Sequence, residues 1–186
     1  MFIQTEQTPN PASIKFLPGC EVMVRGNAEF KNLEEAKRSP LAERLFAIAG
    51  VASVFLGSDF VTVTKKDDIE WPQLKLVVLS ALMDHFMLGD KVMLDEDVPH
   101  HSPVLNENDS DAVRQIKEIL DTRVRPAVAH DGGDIAFSSF EDGIVYLQMR
   151  GACAGCPSST ATLKTGIENM LKHFVPEVEE VRAVNE

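Results

Sequence analysis

Cys153 and Cys156 are the side chains whose type and spacing most directly offer chemistry. They stand in the run Met149-Arg150-Gly151-Ala152-Cys153-Ala154-Gly155-Cys156-Pro157-Ser158-Ser159-Thr160. Two intervening residues let both sulfurs face one side of a tight turn, close enough to share a metal centre or to join as a disulfide. Gly151 and Gly155 leave room beside the sulfurs for a bulky inorganic guest.

The elements that must hold the pair are legible on either side of it. Val145, Leu147 and Met149 alternate and predict a strand over 144–149, while Leu163, Ile167, Met170, Leu171 and Phe174 recur on one side of a helix. Pro157 suits the first turn of that helix, where an N–H would have no intrahelical partner. Cys156 then falls at or beside the N-cap. Unpaired N–H groups and the positive end of the helix dipole favour anionic sulfur there, so a thiolate is accessible near neutral pH for iron, zinc or nucleophilic attack.

Three chemistries fit a lone dithiol. A [2Fe-2S] or [4Fe-4S] cluster normally takes four protein thiolates, and one chain supplies two, so two chains facing each other complete the shell. A small-molecule thiol or a different partner would also complete it, and four-thiolate zinc satisfies the same count. In the third, thiol–disulfide exchange, Cys153 attacks and Cys156 resolves. The strands before the site read as one hairpin, whereas a thioredoxin-like arrangement begins with a βαβ pattern.

Other candidates carry less. Cys20 has no neighbouring cysteine, and His85 reads as a surface or cap residue near a helix end. Trp71 reads as an anchor where a helix begins. His100-His101 lie in an acidic stretch where adjacent histidines are usually solvated. His130 is a candidate fourth ligand with a structural reading alongside it. Gly132-Gly133 lacks dinucleotide-fingerprint spacing and instead suits a close approach of its loop to another part of the domain. Asp131 and Asp134 read as caps or turn formers.

The pattern along the chain is that of an α+β fold, with two small α/β-layer domains joined by an acidic linker. The first, 1–88, contains an opening segment turned by Pro9 and Pro11, strands over 13–17 and 22–24, a loop over 27–39 and a helix started by Ser39-Pro40. A hairpin over 51–64 and a helix from Trp71-Pro72 to Gly89 follow. The linker, 89–110, holds six acids against one base and is expected to stay extended by self-repulsion. The second domain, 111–186, runs helix, strand, strand, helix, strand, with Pro126 ending or kinking the first helix. A similar helix, hairpin and helix order in both halves is a faint echo only.

Composition narrows the function classes. A net charge of −11 over 186 residues argues against nucleic acid as a partner. No apolar run approaches the ~20 residues of a membrane helix. Three cysteines without a secretory leader point to a reducing compartment. The first six residues read as neither signal nor transit peptide, which leads to a bacterial cytoplasmic expectation, with the mitochondrial matrix if the chain is a processed form.

Arg125-Pro126, Asp131-Gly132-Gly133-Asp134 and Gly151 through Ser159 together resemble the C-terminal NifU domain. Phe2 through Glu6, Thr8-Pro9-Asn10-Pro11 and Lys15-Phe16 resemble the N-terminal domain of Nfu proteins. The resemblance implies a carrier, not a turnover enzyme, that holds a [4Fe-4S] cluster at a dimer interface through Cys153 and Cys156. It would receive the cluster from upstream assembly proteins and deliver it to apo iron-sulfur proteins, with the N-terminal domain contributing to partner contacts. The additional cysteines of full-length NifU, which serve primary cluster synthesis, are missing from this sequence.

Overall fold

The computed structural model describes residues 2–94 and 109–184, and the chain divides into two compact units, Met1–His100 and His101–Glu186. Most of the acidic stretch, with His100-His101, lies outside the described residues.

The first unit is a five-stranded antiparallel sheet in the order β1-β2-β5-β4-β3. Its strands are β1 (Gln4–Gln7), β2 (Ser13–Leu17), β3 (Ala28–Phe30), β4 (Val51–Leu56) and β5 (Val61–Lys65). The helices are α1 (Leu33–Ala36), α2 (Pro40–Phe46) and α3 (Trp71–Leu88). Ser39 caps α2 as its sequence foretells, its hydroxyl accepting from Ala42 N–H at 3.1 Å with Pro40 in the first turn. Trp71 anchors the start of α3 by donating from its indole to Pro11 C=O at 3.0 Å.

Several expectations change here. Residues 22–24 form no strand; the Val22 and Met23 amides both donate to Ser58 C=O, which holds this segment as a loop against the β4–β5 turn. The expected loop over 27–39 contains β3 and α1, because Ala28 and Phe30 bury on one face and Asn32 with Glu35 forms a reciprocal cap. Packing also continues past Gly89: Ser39 Oγ donates to Val92 C=O, and Leu94 N–H to Arg38 C=O at 2.9 Å.

The second unit places a three-stranded sheet, β6-β7-β8, beside two helical segments. β6 (Gly133–Glu141) pairs antiparallel with β7 (Ile144–Gly151), and β7 pairs parallel with β8 (Glu180–Val184) across the long helix α6 (Pro157–Phe174). The two sheets differ in strand number and direction, so the echo between the halves does not extend to topology.

The helical segment that opens this unit is α4 (Asp111–Ile119), a π turn over Leu120–Val124, and α5 (Arg125–His130). Ile116, Leu120, Val124 and Val128 are all buried at four-residue spacing. In a regular α-helix each such step drifts by about 40°, so the stripe would rotate off the core. The π turn, closed by Arg125 N–H to Leu120 C=O, winds more residues per turn and keeps the four in line. Pro126, which has no N–H, follows it directly. The core beneath is built from these residues with Ile135, Val145, Leu147, Ile167, Leu171 and Val181.

Candidate functional site

The dithiol lies where β7 hands the chain to α6. β7 ends at Gly151 with φ of 60°, Gly155 has φ of 81°, and Cys156 is the extended N-cap residue of α6. Three backbone bonds close the turn: Ala154 N–H to Gly151 C=O at 3.1 Å, Cys153 N–H to Arg150 C=O at 3.3 Å, and Ala152 N–H to Gly132 C=O at 3.2 Å. Thr160 Oγ1 donates to Cys153 C=O at 3.0 Å, tying the turn to the first helical turn. No disulfide joins the two cysteines.

The two sulfurs sit in unlike surroundings. Cys153 is only 6% exposed and joins the core of its unit. Cys156 is half-buried at the mouth, its sulfur 3.3 Å from Ser158 Oγ. Its N-cap position places it against the positive end of an 18-residue helix with no acidic residue in the first turn, which favours the thiolate. A Cβ built on Gly155 would meet nothing within 4 Å, so the approach to the thiols is open on that side.

Two supports hold the turn, and the first escaped sequence reasoning from the residues alone. Asp134 is neither a cap nor a turn former. It is buried and takes a bidentate pair of bonds from Arg125, Nε to Oδ1 at 2.9 Å and Nη2 to Oδ2 at 3.2 Å. Asp121 accepts a third bond from the same guanidinium at 2.8 Å. Burial opposes the Arg125 charge, but the hydrogen bonds it donates to Asp134 and Asp121, with the charges of those two carboxylates, outweigh it and hold the group above its ordinary range. Gly133 is the second support: a Cβ there would lie 2.5 Å from Cys153 Sγ. The Gly132-Gly133 pair was the available signal, and the close approach it foretold is to the Cys153 turn.

The remaining candidates disperse. Cys20 is exposed in the first unit, and desolvation pushes its thiol up. His85 is fully buried in the first unit, not at the surface, because α3 turns Leu74, Val78, Leu82 and His85 together toward the core. Val77, next to Val78 in the chain, lies off that inner face and is exposed. His130 points outward with Asp131 3.6 Å away. Among the described residues, no group of three or more His, Cys, Asp or Glu is placed to hold a metal ion, and no helix is long and apolar enough to cross a membrane.

Residues 3–89 match the family model of the scaffold protein Nfu/NifU N-terminal domain, and residues 116–182 match the NifU-like domain. The chain is 53% identical over 184 residues to NifU-like protein 4, mitochondrial, of Arabidopsis thaliana, covering 97% of this chain and 65% of that one. The chain belongs to the Nfu family. It is also 49% identical over 185 residues to the NFU1 iron-sulfur cluster scaffold homolog, mitochondrial, of Drosophila ananassae, covering 99% of this chain and 64% of the relative. This Nfu-family chain thus spans about two thirds of the length of the curated relatives it matches. A solution structure of a NifU-like protein from Saccharomyces cerevisiae aligns with 29% identity and a TM-score of 0.46, over 52% of this chain and 87% of that one.

These relatives overturn the bacterial cytoplasmic expectation, since their names place them in mitochondria. An address is legible only in a segment that carries it, and the folded units bear no compositional mark of compartment. One argument against thiol exchange also weakens. The β6–β7 hairpin precedes the site as expected, but β7, α6 and β8 also form a parallel βαβ unit around it. Topology alone therefore does not separate the two readings.

Proposed function

We propose that this chain is an iron-sulfur cluster carrier that holds a [4Fe-4S] cluster between two copies, each giving Cys153 and Cys156, and delivers it to apo iron-sulfur proteins. One observation carries the reading. A single chain presents two thiols at a helix start, and the described residues offer no further donor grouped with them. Four thiolates are the usual complement of such a cluster, so a second copy completes the shell and its departure frees the cargo. A [2Fe-2S] cluster has the same donor requirement.

The cluster is cargo rather than a resident cofactor, and the chain acts by binding and release rather than turnover. The mitochondrial relatives support the same compartment for this chain; upstream assembly proteins are the proposed donors. The acidic stretch beyond Leu94 serves as a tether between the first unit, which contacts partners, and the second, which holds the cluster. A net charge of −11 disfavours nucleic acid as a partner.

Anaerobic addition of ferrous iron and sulfide to the full chain tests the reading. The expected product is brown, with visible thiolate-to-iron charge-transfer absorption. Cys153→Ser or Cys156→Ser should abolish the colour, whereas Cys20→Ser should retain it. A colourless protein that reduces disulfides catalytically would overturn the carrier reading in favour of thiol exchange.

A further inference from the structure

We propose that Gly133 is a positioning residue that seats the Cys153 sulfur, making Cys153 the anchored donor of the pair and leaving Cys156 as the accessible one. This rests on the dithiol reading above and adds a residue outside the Cys-x-x-Cys run. Gly132 has a positive φ of 82°, but Gly133 does not, so position 133 demands space rather than an unusual backbone angle. It opens β6 directly opposite Gly151, the last residue of β7, where glycine faces glycine across the ladder.

That paired absence of side chains lets the turn over 150–153 fold down onto β6. A Cβ at 133 would stand 2.5 Å from Cys153 Sγ, 2.7 Å from Arg150 C=O and 3.0 Å from the Cys153 nitrogen. Ordinary van der Waals contact begins at 3.4 Å, so the sulfur would have to retreat by about 1 Å, twice the ~0.5 Å within which a donor constellation must be held. The carbonyl it would strike also accepts the Cys153 N–H bond that closes the turn. Retreat therefore moves the sulfur out of its cover and loosens the turn together. Cys156, on the far side of Gly155, is half-buried at the N-cap of α6 with Ser158 Oγ 3.3 Å from its sulfur.

The test is Gly133→Ala in the full apo chain under oxygen-free, reducing conditions, with alkylation of each cysteine followed by mass spectrometry. In the unsubstituted chain Cys156 should react faster than Cys153. Gly133→Ala should raise the Cys153 rate about tenfold while leaving Cys20 unchanged, and should shorten the lifetime of the reconstituted cluster severalfold. A folded variant whose Cys153 rate is unchanged would overturn the inference.

If Gly133→Ala fails to fold, the unsubstituted chain decides it: alkylation of Cys153 slower than that of Cys156 in the folded apo chain supports the seat, and alkylation of Cys153 at least as fast as that of Cys156 overturns it. A chain that never retains a cluster would sink the carrier reading, yet the alkylation rates would still decide the role of Gly133. Retention with unaltered rates would sink the seat alone.

Discussion

At the scale of residues, Asp134 shows how a buried charge supports a site it does not touch. Its carboxylate is almost wholly removed from water and is satisfied by a bidentate guanidinium. Asp134 pairs with Arg150 in the β6–β7 ladder, one step from the Gly133–Gly151 pair. Breaking such a pair strands the remaining charge, whereas replacing both partners with apolar groups removes both desolvation costs. Asp134→Asn, which leaves Arg125 still paired with Asp121, should therefore destabilise the second unit by about 2 kcal/mol, measured by urea unfolding of the apo chain. Arg125→Met with Asp134→Leu should cost less than Asp134→Asn alone. Equal or larger loss in the double variant would show that the pair stabilises beyond satisfying itself.

At the scale of elements, α3 carries a liability in His85. Both ring nitrogens are buried without a hydrogen-bond partner, and the ring packs edge-on against Phe86 with centroids 5.5 Å apart. Burial lowers its pKa, the Arg44 charge lowers it further, and Asp90, which is ion-paired with Arg44 at 2.9 Å, partly offsets this. The folded state thus binds the proton less readily than the unfolded chain. The sign follows from that difference: stability is full above the ordinary histidine value of about 6.5 and falls as pH drops below it. The slope reaches at most about 1.4 kcal/mol per pH unit for one proton. Thermal unfolding of the first unit between pH 7.5 and 5 should show this loss, and His85→Leu should flatten it. An unchanged pH profile in that variant would remove His85 as the cause.

At the scale of the whole molecule, the proposal that two copies share one cluster makes loading and association one event. Native mass measurement under oxygen-free conditions should find the cluster-loaded species at twice the 20.5 kDa chain mass, with four irons per pair of chains. Iron chelation should return it to the apo state. A loaded species of one chain mass that holds its cluster with its own side chains would defeat the shared-cluster proposal, whatever its colour. Comparing the two cysteine variants with Asp134→Asn separates loss of donors from loss of the platform: the first abolishes loading without unfolding, and the second weakens folding first.

The sequence by itself determined the dithiol, the strand before it, the helix after it, and most of the elements around them. These rest on local physics, namely alternation in 144–149, helical spacing beyond Pro157, the Ser39-Pro40 cap and the spacing of two sulfurs. Only the tertiary structure decided what those residues meet. His85 turned inward because α3 is apolar nearly all round, so periodicity could not say which side faces the sheet. β3 was hidden because three residues carry too short an alternation to register. The unequal burial of the two thiols, and the need for bare space at Gly133, arise from segments about twenty residues apart in sequence pressed together by the β6–β7 ladder. Contact between distant segments is set by the register of that ladder, which no local pattern of residues records.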